Sequence, residues 1–360
     1  MKVCILSIVN IKHMSMISLY TDYLKHNNIK YDIIYVDKYN EVEHIEADNI
    51  FRYPVFIKKR WGKIRKIFAY FGFRKYGLRI LSKEKYDFIV VWKTETALMF
   101  SSFLTKNAKK RYSINIRDYF MEKNYLILKR IEKTIENSRF STISSEGFKS
   151  FLPNYNYITV HSFNKTLLEK CTPKKSLKKY GEPLHICFIG YVRFFDIDKK
   201  LILALGNDVR YIIEFFGEGS QHLEEFVLQN NIKNVDLRKG FPLEDTPDLL
   251  KNVDVINNLY GKDDIALDTA VSTKFYYALY LNTPILVFKG TYMEKISNEY
   301  GIGFSVGDDF STLADDFYSW YYLQDFDKLA KQCKRGINDI KVTNEVFENN
   351  LKGILSDYFK

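Results

Sequence analysis

The residue types that could hold a phosphate are clearest within residues 270–287. Ser272 or Thr273 could cap a helix there, and the free N–H groups and positive dipole end of that helix would face an anion. Lys274 places a cation in the first turn, where the helix dipole disfavours it, so a bound anion would explain its presence. Residues 282–284 then end the helix before an apolar strand. This stretch therefore predicts a helix whose start binds a phosphate or diphosphate.

A second candidate for diphosphate binding follows the strand predicted at residues 184–189. Gly190 would let the backbone approach a ligand closely, and Arg193 and Lys199 would neutralise its charge. Glycine turns followed by solvated cations are also common at protein surfaces, and that alternative stays open at this point.

Two further strand ends carry weaker signals. Gly217, Glu218 and Gly219 form a glycine–acid–glycine segment, which by itself usually marks no more than a turn. Phe241 follows the next predicted strand, where an aromatic ring could cover a nucleobase or complete the core. Because ligands of such sheets bind outside the carboxyl ends of the strands, both positions are candidates for the same binding face.

In the first half of the chain, two acids and one histidine at strand ends are the candidate catalytic residues. Asp118 follows the predicted strand at residues 111–116 and is the preferred base or anchor for an acceptor hydroxyl. Its alternative roles are to start the next helix or to pair with Arg117. Glu146 is the second candidate, with helix capping as its alternative. His161 closes the last strand of this half, where an isolated histidine is more often structural.

The net charge of +10 originates in one segment. Residues 58–85 contain eleven Lys and Arg against one acid, whereas the rest of the chain carries 43 basic and 43 acidic residues. Apolar residues within 57–71 recur at steps of three and four, so a helix would present an aromatic face with a cationic rim. This pattern is typical of a helix lying on an anionic membrane; a solvated helix and a nucleic-acid surface are the alternatives. The residues assigned to this surface are Lys58, Lys59, Arg60, Trp61, Lys63 and Phe68.

The elements that must position these residues alternate between strand and helix. Strand–helix–strand alternation implies a parallel sheet, and it occurs twice, so we predict two consecutive doubly wound α/β domains. Short apolar runs of this kind are typical of parallel strands that are covered on both faces. The predicted strands are residues 2–9, 31–36, 86–92, 111–116, 140–143, 157–160, 184–189, 209–216, 234–237, 253–257 and 284–288.

The domain boundaries are predicted from composition. The first domain spans residues 1–170 and contains the basic stretch 57–85, and the second spans residues 184–340. Residues 171–183 read as a linker, because they are rich in lysine and contain two prolines and a glycine. A C-terminal helix at residues 341–360 could pack back on the first domain.

The four cysteines are scattered without Cys-x-x-Cys spacing, so they indicate neither a disulfide framework nor a metal site. No leader of the secretory type is evident, and no apolar run approaches the roughly 20 residues that span a bilayer. We therefore expect a cytoplasmic protein without a metal or another cofactor.

The order of the motifs in the second half resembles the GT-B glycosyltransferases, in particular the family-4-like group that builds bacterial capsules and other surface polysaccharides. In that group a strand–Gly-x-x-Arg turn is followed by a Gly-Asp/Glu-Gly loop and then by a Pro-Ser-Lys-x-x-Glu-x-x-x-x-Gly-x-Pro segment. Residues 272–284 match the third frame without gaps. The resemblance covers residues 184–306, and the first domain by architecture alone.

The resemblance implies two Rossmann-like domains that face each other across a cleft, with a nucleotide-sugar donor on the second. The glutamate that usually contacts the donor falls at Tyr277, and its usual partner falls at Thr269, beside Asp268. This departure leaves the donor sugar and the stereochemical outcome open. His13 lies in the turn where the family places a donor- or acceptor-contacting loop. The implied donor-binding residues are Gly190, Arg193, Lys199, Gly217, Glu218, Gly219, Phe241, Asp268, Ser272, Thr273, Lys274 and Tyr277.

The resulting prediction is a metal-independent, hexosyltransferase-like enzyme of bacterial surface polysaccharide synthesis. It would move a sugar from a nucleotide-sugar, by preference a UDP-sugar, to a saccharide acceptor linked to a lipid diphosphate, on the inner face of the cell membrane. No nucleic acid is expected as a partner. The alternative is a non-catalytic membrane- or nucleic-acid-binding protein of the same fold class. An epimerase is disfavoured at this stage, because no Gly-x-Gly-x-x-Gly follows the first strand.

Overall fold

The computed structural model describes residues 1–55 and 63–358. The chain forms two compact units. Unit 1 consists of Met1–Ser162 and Thr343–Lys360, and unit 2 consists of Phe163–Val342.

Unit 1 is built on a parallel sheet. Among the described residues this sheet has seven strands, in the order β3-β2-β1-β4-β5-β6-β7. The strands are β1 (Lys2–Ser7), β2 (Lys30–Asp37), β3 (Asn49–Pro54), β4 (Phe88–Trp92), β5 (Tyr112–Ile116), β6 (Phe140–Ile143) and β7 (Ile158–Thr159). The helices that connect them are α1 (Ser18–His26), α2 (Lys63–Glu84), α3 (Thr94–Asn107) and α4 (Tyr125–Glu136).

Unit 2 repeats this plan with a sheet that, within the described residues, has six parallel strands in the order β10-β9-β8-β11-β12-β13. The strands are β8 (Leu184–Ile189), β9 (Tyr211–Phe216), β10 (Val235–Arg238), β11 (Val255–Asn258), β12 (Ile285–Phe288) and β13 (Gly303–Val306). The helices are α5 (Lys165–Leu168), α6 (Phe195–Leu205), α7 (Glu224–Gln229), α8 (Thr246–Leu250), α9 (Ile265–Thr269), α10 (Thr273–Leu281), α11 (Tyr292–Glu299), α12 (Leu313–Tyr322) and α13 (Phe326–Tyr358).

Burial of the central strands explains why the sequence forms these sheets. Every residue of β4 is buried, as is every residue of β12, which is the expected state of a parallel strand with helices on both faces. Each sheet has one strand at which the strand order changes direction. In the first sheet this is β1, which lies between β2 and β4, and in the second it is β8, which lies between β9 and β11. Ligands of doubly wound sheets bind at this switch point, outside the carboxyl ends of the strands.

The predicted class, two doubly wound α/β units, is confirmed, but two strands were missed. Strand β3 lies at an edge of the sheet and is largely exposed, so it lacks the continuous apolar run by which the other strands are recognised. Strand β13, also at an edge, begins with a glycine and is only half-buried over most of its length. Edge strands carry a weaker sequence signal because one of their sides has no neighbouring strand.

The segment that the composition marked as a linker lies within unit 2. Phe163, Leu168 and Cys171 are buried in the core of this unit. Lys174 forms an ion pair with the buried carboxylate of Asp254 at 2.9 Å, and its backbone N–H donates to the Leu281 carbonyl. The lysines of residues 171–183 therefore do not mark a free tether, because tertiary contacts attach this segment to the sheet that follows it.

The C-terminal helix contributes to unit 1 from residue 343 onward. Phe347 and Leu351 are buried in the core of that unit, and the ring of Phe347 lies edge-on to Tyr20 with centroids 5.1 Å apart. Within the described residues, no helix is long and apolar enough to cross a membrane.

Candidate functional site

The start of α10 has the geometry of an anion-binding helix terminus. Ser272 is the N-cap, and its Oγ accepts a hydrogen bond from the Lys274 backbone N–H at 3.3 Å. Thr273 is the first helical residue and is exposed. Asn282 ends the helix in the left-handed region at φ 54°, which agrees with the predicted stop before the next strand.

Lys274 is the most informative residue of this region, because its ammonium group is buried. The residue is only 2% exposed, and its Nζ lies 3.9 Å from the ring centroid of Phe188 and 2.6 Å from the Tyr260 hydroxyl. Among the described residues, no carboxylate forms an ion pair with it. Removing an ammonium from water without an anion is costly. The arrangement is therefore suited to an anionic ligand.

The glycine turns after β8 and β9 lie directly beside this ammonium. A side chain at Gly190 would begin 3.6 Å from the Lys274 Nζ, and Gly190 has a φ of 125°. Gly217 and Gly219 also have positive φ, and a Cβ at either would collide with the backbone of the Gly190 turn. The two turns are joined by the Gly190 N–H, which donates to the Phe216 carbonyl at 2.8 Å. The glycines are thus needed for close packing of the two turns, and they leave open backbone in front of Lys274.

The other two predicted cations, Arg193 and Lys199, have different surroundings. Arg193 is exposed and lines a cavity of about 430 Å³ together with Tyr260, Lys262 and Asp308. Lys199 lies on α6 with its Nζ 5.2 Å over the ring of Phe226, on the neighbouring α7. Arg193 and Lys274 are therefore associated with the same part of unit 2, whereas Lys199 packs against another helix.

Asp198 is a residue of this region that the sequence analysis missed. It is 1% exposed, and neither carboxylate oxygen has a hydrogen-bond partner among the residues that the structure describes. Burial raises the pKa of its carboxyl to about 7, and the charge of Lys274 opposes that rise. An acid in the first turn of a helix is common for dipole reasons, so its sequence position did not distinguish it. Only the folded structure shows that this acid is buried.

The protonation of Asp198 leads to a prediction about stability. Its pKa rises from an ordinary 3.8 to about 7, so between these pH values the folded protein holds a proton that the unfolded chain has released. Stability should therefore fall as the pH rises from about 4 to about 7. In Asp198→Asn the carboxyl is replaced by an amide, which stays neutral over this pH range. The variant should therefore be more stable than the wild type at pH 8, by up to about 4 kcal/mol. Urea unfolding at pH 4 and pH 8 measures this, and an identical pH dependence of the two proteins would contradict it.

The remaining predicted donor residues have more ordinary surroundings. Glu218 accepts a hydrogen bond from the side chain of Gln221 at 3.3 Å, and Phe241 packs, partly buried, against the core of unit 2. Asp268 accepts from the backbone N–H of Asp263 at 3.1 Å. Tyr277 packs against the same core, and burial raises its pKa to about 12, so its hydroxyl is neutral at physiological pH. A neutral hydroxyl can hydrogen-bond a sugar but cannot replace the charge of a glutamate.

In unit 1, Asp118 belongs to a charged cluster at the carboxyl ends of β4 and β5. Its side chain is 57% exposed, and its carboxylate lies 2.8 Å from the Nζ of Lys93, which is also 4.0 Å from the carboxylate of Glu95. Burial lowers the pKa of Lys93, but the carboxylates of Glu95 and Asp118 outweigh it and raise the pKa above its ordinary value. The backbone of Lys93 has a φ of 71°, an unfavourable conformation for a residue with a side chain. The partner of Asp118 is thus Lys93 rather than the adjacent Arg117, which donates to Ser162.

Glu146 and His161 follow β6 and β7. Glu146 accepts a hydrogen bond from Thr159 and pairs with Lys149 at 2.5 Å, so its carboxylate already has two partners. Burial lowers the pKa of His161 to about 4, although the charge of Glu146 acts in the opposite direction. The imidazole is therefore neutral at pH 7. The His161 backbone N–H donates to the side chain of Asn344 at 3.3 Å.

The predicted acceptor and membrane residues are only partly described. His13 is exposed, and its Nε2 lies 3.0 Å from the Tyr39 hydroxyl. Lys63 and Phe68 lie in α2, which confirms a helix over much of the basic stretch, but their side chains lie outside the description. The following predicted residues lie outside the described residues altogether: Lys58, Lys59, Arg60 and Trp61.

Comparison with known proteins shows the fold. No protein-family model matches the sequence, and no curated protein matches it significantly. Among solved structures, sucrose-phosphate synthase from Thermosynechococcus elongatus has a TM-score of 0.71 and 12% identity, covering 99% of both chains. Anabaena HepE in complex with UDP has a TM-score of 0.68 and 9% identity over 98% of this chain and 100% of its own.

A third similar structure is the UDP-GlcNAc 2-epimerase of Neisseria meningitidis bound to UDP-GlcNAc, with a TM-score of 0.62 and 14% identity over 98% of this chain and 100% of its own. At these identities the similarity concerns architecture. The chain has the GT-B fold, as predicted.

Proposed function

We propose that the protein is a glycosyltransferase that uses a UDP-sugar as donor and a saccharide as acceptor. The observation that carries this proposal is the buried ammonium of Lys274, which lies at the start of α10 and faces the open Gly190 turn. Among the described residues, no carboxylate lies within ion-pair distance of it. A nucleoside diphosphate supplies the anion that this arrangement lacks. Two proteins of the same fold, HepE and the Neisseria epimerase, were solved with UDP or a UDP-sugar, which supports this choice of nucleotide.

In this proposal unit 2 stabilises the departing diphosphate. Negative charge accumulates on the diphosphate as the bond to the sugar breaks, so fixed cations lower the barrier more than they lower the free energy of the bound donor. Lys274 and the N–H groups at the start of α10 supply fixed charge and dipoles, and the exposed Arg193 adds a guanidinium. We assign this role to the protein's own cations, without a metal ion. Asp118 is proposed as the base that accepts the proton of the acceptor hydroxyl.

An epimerase is the second candidate. The absence of Gly-x-Gly-x-x-Gly disfavoured it in the sequence, but UDP-GlcNAc 2-epimerases are among the structures with this fold, so that absence does not exclude it. Incubation with UDP-GlcNAc alone separates the two, since an epimerase converts the sugar without an acceptor, whereas a transferase leaves it unchanged until an acceptor is added.

Donor binding is tested most directly by thermal stability. A ligand that binds only the folded state stabilises it, by about 2.7 kcal/mol at a hundred times its dissociation constant. UDP and at least one UDP-sugar should therefore raise the melting temperature, whereas uridine should raise it much less because it lacks the diphosphate. GDP, CDP and ADP serve as controls for the base. Equal effects of UDP and uridine would contradict a diphosphate site.

We further propose that the acceptor is lipid-linked, as in bacterial surface polysaccharide synthesis, and that the basic stretch binds the anionic inner face of the membrane. The support is the sequence itself, because this stretch carries the whole net charge beside an aromatic pattern of helical spacing. A non-catalytic protein of the same fold would bind such a membrane but no nucleotide.

Vesicle flotation tests the membrane proposal. Changing Lys58, Lys59, Arg60 and Lys63 to Gln should abolish binding to anionic vesicles, and salt near 1 M should release the wild type because the Debye length falls to about 3 Å. UDP affinity should not change, since the donor residues lie in unit 2. A variant with the same loss of charge elsewhere should still bind vesicles; the changed residues are Lys328, Lys331, Lys334 and Lys341, all exposed on α13. Equal binding by both variants would contradict the proposal.

A further inference from the structure

Unit 1 contains a cavity of about 820 Å³ that none of the predicted catalytic residues lines. It lies at the carboxyl ends of β1, β2 and β5, between α2, α3 and α4. Its volume is within the range of about 300–1,000 Å³ in which proteins bind organic ligands. A cavity of this size at the switch point of a doubly wound sheet is the expected place for a ligand.

Most of the wall is apolar. Leu98 and Met99 of α3 and Ile127 of α4 line it, together with Phe71 of α2 and Met121. Phe71 is 57% exposed and Met121 is 47% exposed, so their apolar surface is left in contact with water. Covering this surface with an apolar group would be favourable by the ordinary hydrophobic effect.

The charged residues of the wall are mainly cations. Lys38, Arg74 and Arg130 line the cavity, and Glu95 is its one acid among the described residues. Glu95 is already near the ammonium of Lys93. Lys38 forms no ion pair within residues 1–55 and 63–358, and its Nζ lies 5.6 Å from the ring centroid of Tyr70. The wall therefore combines an apolar surface with an excess of positive charge, which suits a ligand that is apolar along its length and anionic at one point.

One lining residue of the cavity, Glu95, lies near the proposed base. Glu95 of the wall lies 4.0 Å from the Nζ of Lys93, and the same Nζ lies 2.8 Å from Asp118. Phe120 and Met121, which line the cavity, follow Asp118 directly along the chain. The part of a ligand that lies beside Glu95 would thus be in the vicinity of Asp118.

We infer that this cavity binds the acceptor through a phosphate-linked hydrocarbon chain, with the chain against the wall formed by α2, α3 and α4 and the phosphate near Lys38, Arg74 and Arg130. The inference rests on the proposed transferase function, because it names the class of acceptor. It also differs from membrane binding by the basic stretch, since it requires a single amphiphile in a defined cavity.

Titration with geranyl phosphate tests this inference, with geraniol and inorganic phosphate as controls. Geranyl phosphate should bind at least about tenfold more tightly than either control, because the hydrocarbon and the charge are both recognised. Phe71→Glu places a negative charge in the cavity at an exposed position and should weaken binding by about tenfold or more. The matched control is Leu126→Glu, the same kind of change at a residue that is 78% exposed on α4 and does not line the cavity.

Three results would overturn the inference: equal binding of geraniol, equal binding of inorganic phosphate, or equal loss in the two Glu variants. If Phe71→Glu fails to fold, Arg74→Gln and Arg130→Gln provide a second set of variants. They should weaken the binding of geranyl phosphate but not that of geraniol. UDP binding is measured in parallel. If the wild type binds UDP but not geranyl phosphate, the cavity assignment alone is rejected. If the wild type binds geranyl phosphate but not UDP, the transferase proposal is rejected, and the cavity remains a site for a phosphate-linked hydrocarbon chain.

Discussion

Lys274→Met should weaken UDP binding by about 1.5–3 kcal/mol, the range for a hydrogen bond to a charged group. Methionine keeps most of the apolar volume between Phe188 and Tyr260 but removes the ammonium that faces the Gly190 turn. Uridine binding should change far less, because uridine carries no diphosphate. Calorimetric titration of both ligands measures the difference.

The same variant separates a ligand-binding role from a structural one. A buried ammonium without an anionic partner is costly, so its removal should leave the melting temperature of the ligand-free protein no lower than that of the wild type. Arg193→Ala should also weaken UDP binding. Its effect should lie towards the lower end of the range given for Lys274→Met, because this guanidinium is exposed. Lys199→Met is the comparison, and it should have a smaller effect because its ammonium lies over Phe226. Wild-type UDP affinity in both the Lys274 and Arg193 variants would show that the diphosphate site is misplaced.

Asp118→Asn should lower turnover by about 100-fold or more while leaving UDP affinity and the fold unchanged, as expected for the loss of a general base. The Asp118 side chain is 57% exposed, so we expect an amide of the same shape to be tolerated there. Steady-state rates with saturating donor measure the effect, and UDP titration verifies that the donor site is intact.

One further variant, Lys93→Met, shows whether Asp118 acts on the substrate or only holds Lys93. If its role were structural, Lys93→Met should reproduce the loss, because it breaks the same ion pair. If Asp118 is the base, Lys93→Met should retain more activity and shift the pH–rate profile instead. Unchanged turnover of Asp118→Asn would transfer the base assignment to Glu146, for which Glu146→Gln is the corresponding test.

Much of unit 2 could be predicted because its signals are local. The capping residue Ser272, the cation in the first turn and the stop at Asn282 are separated by one helix length, and the structure has them in these roles. Burial on both faces produces the continuous apolar runs of the central strands, so these strands were also found. The edge strands β3 and β13 have no such run and were missed.

Direction and burial of side chains could not be predicted in the same way. Lys199 and Asp198 are neighbours in sequence on α6, yet Lys199 packs on Phe226, whereas Asp198 is buried and has no hydrogen-bond partner in the described part of the chain. Helix geometry places consecutive residues about 100° apart, so one residue of such a pair can face the sheet while the other does not. Which one does so depends on how the whole helix docks on the sheet.

The sequence by itself determined the two parallel α/β sheets, the start and end of α10 and the location of the net charge, because each follows from residues close together in the chain. Only the tertiary structure decided that Lys274 is buried beside the Gly190 turn, that residues 171–183 belong to unit 2, and that α2, α3 and α4 enclose a cavity. These features depend on contacts between residues tens of positions apart. Burial, and with it the cost of an unpaired charge, exists only after those distant segments have packed together.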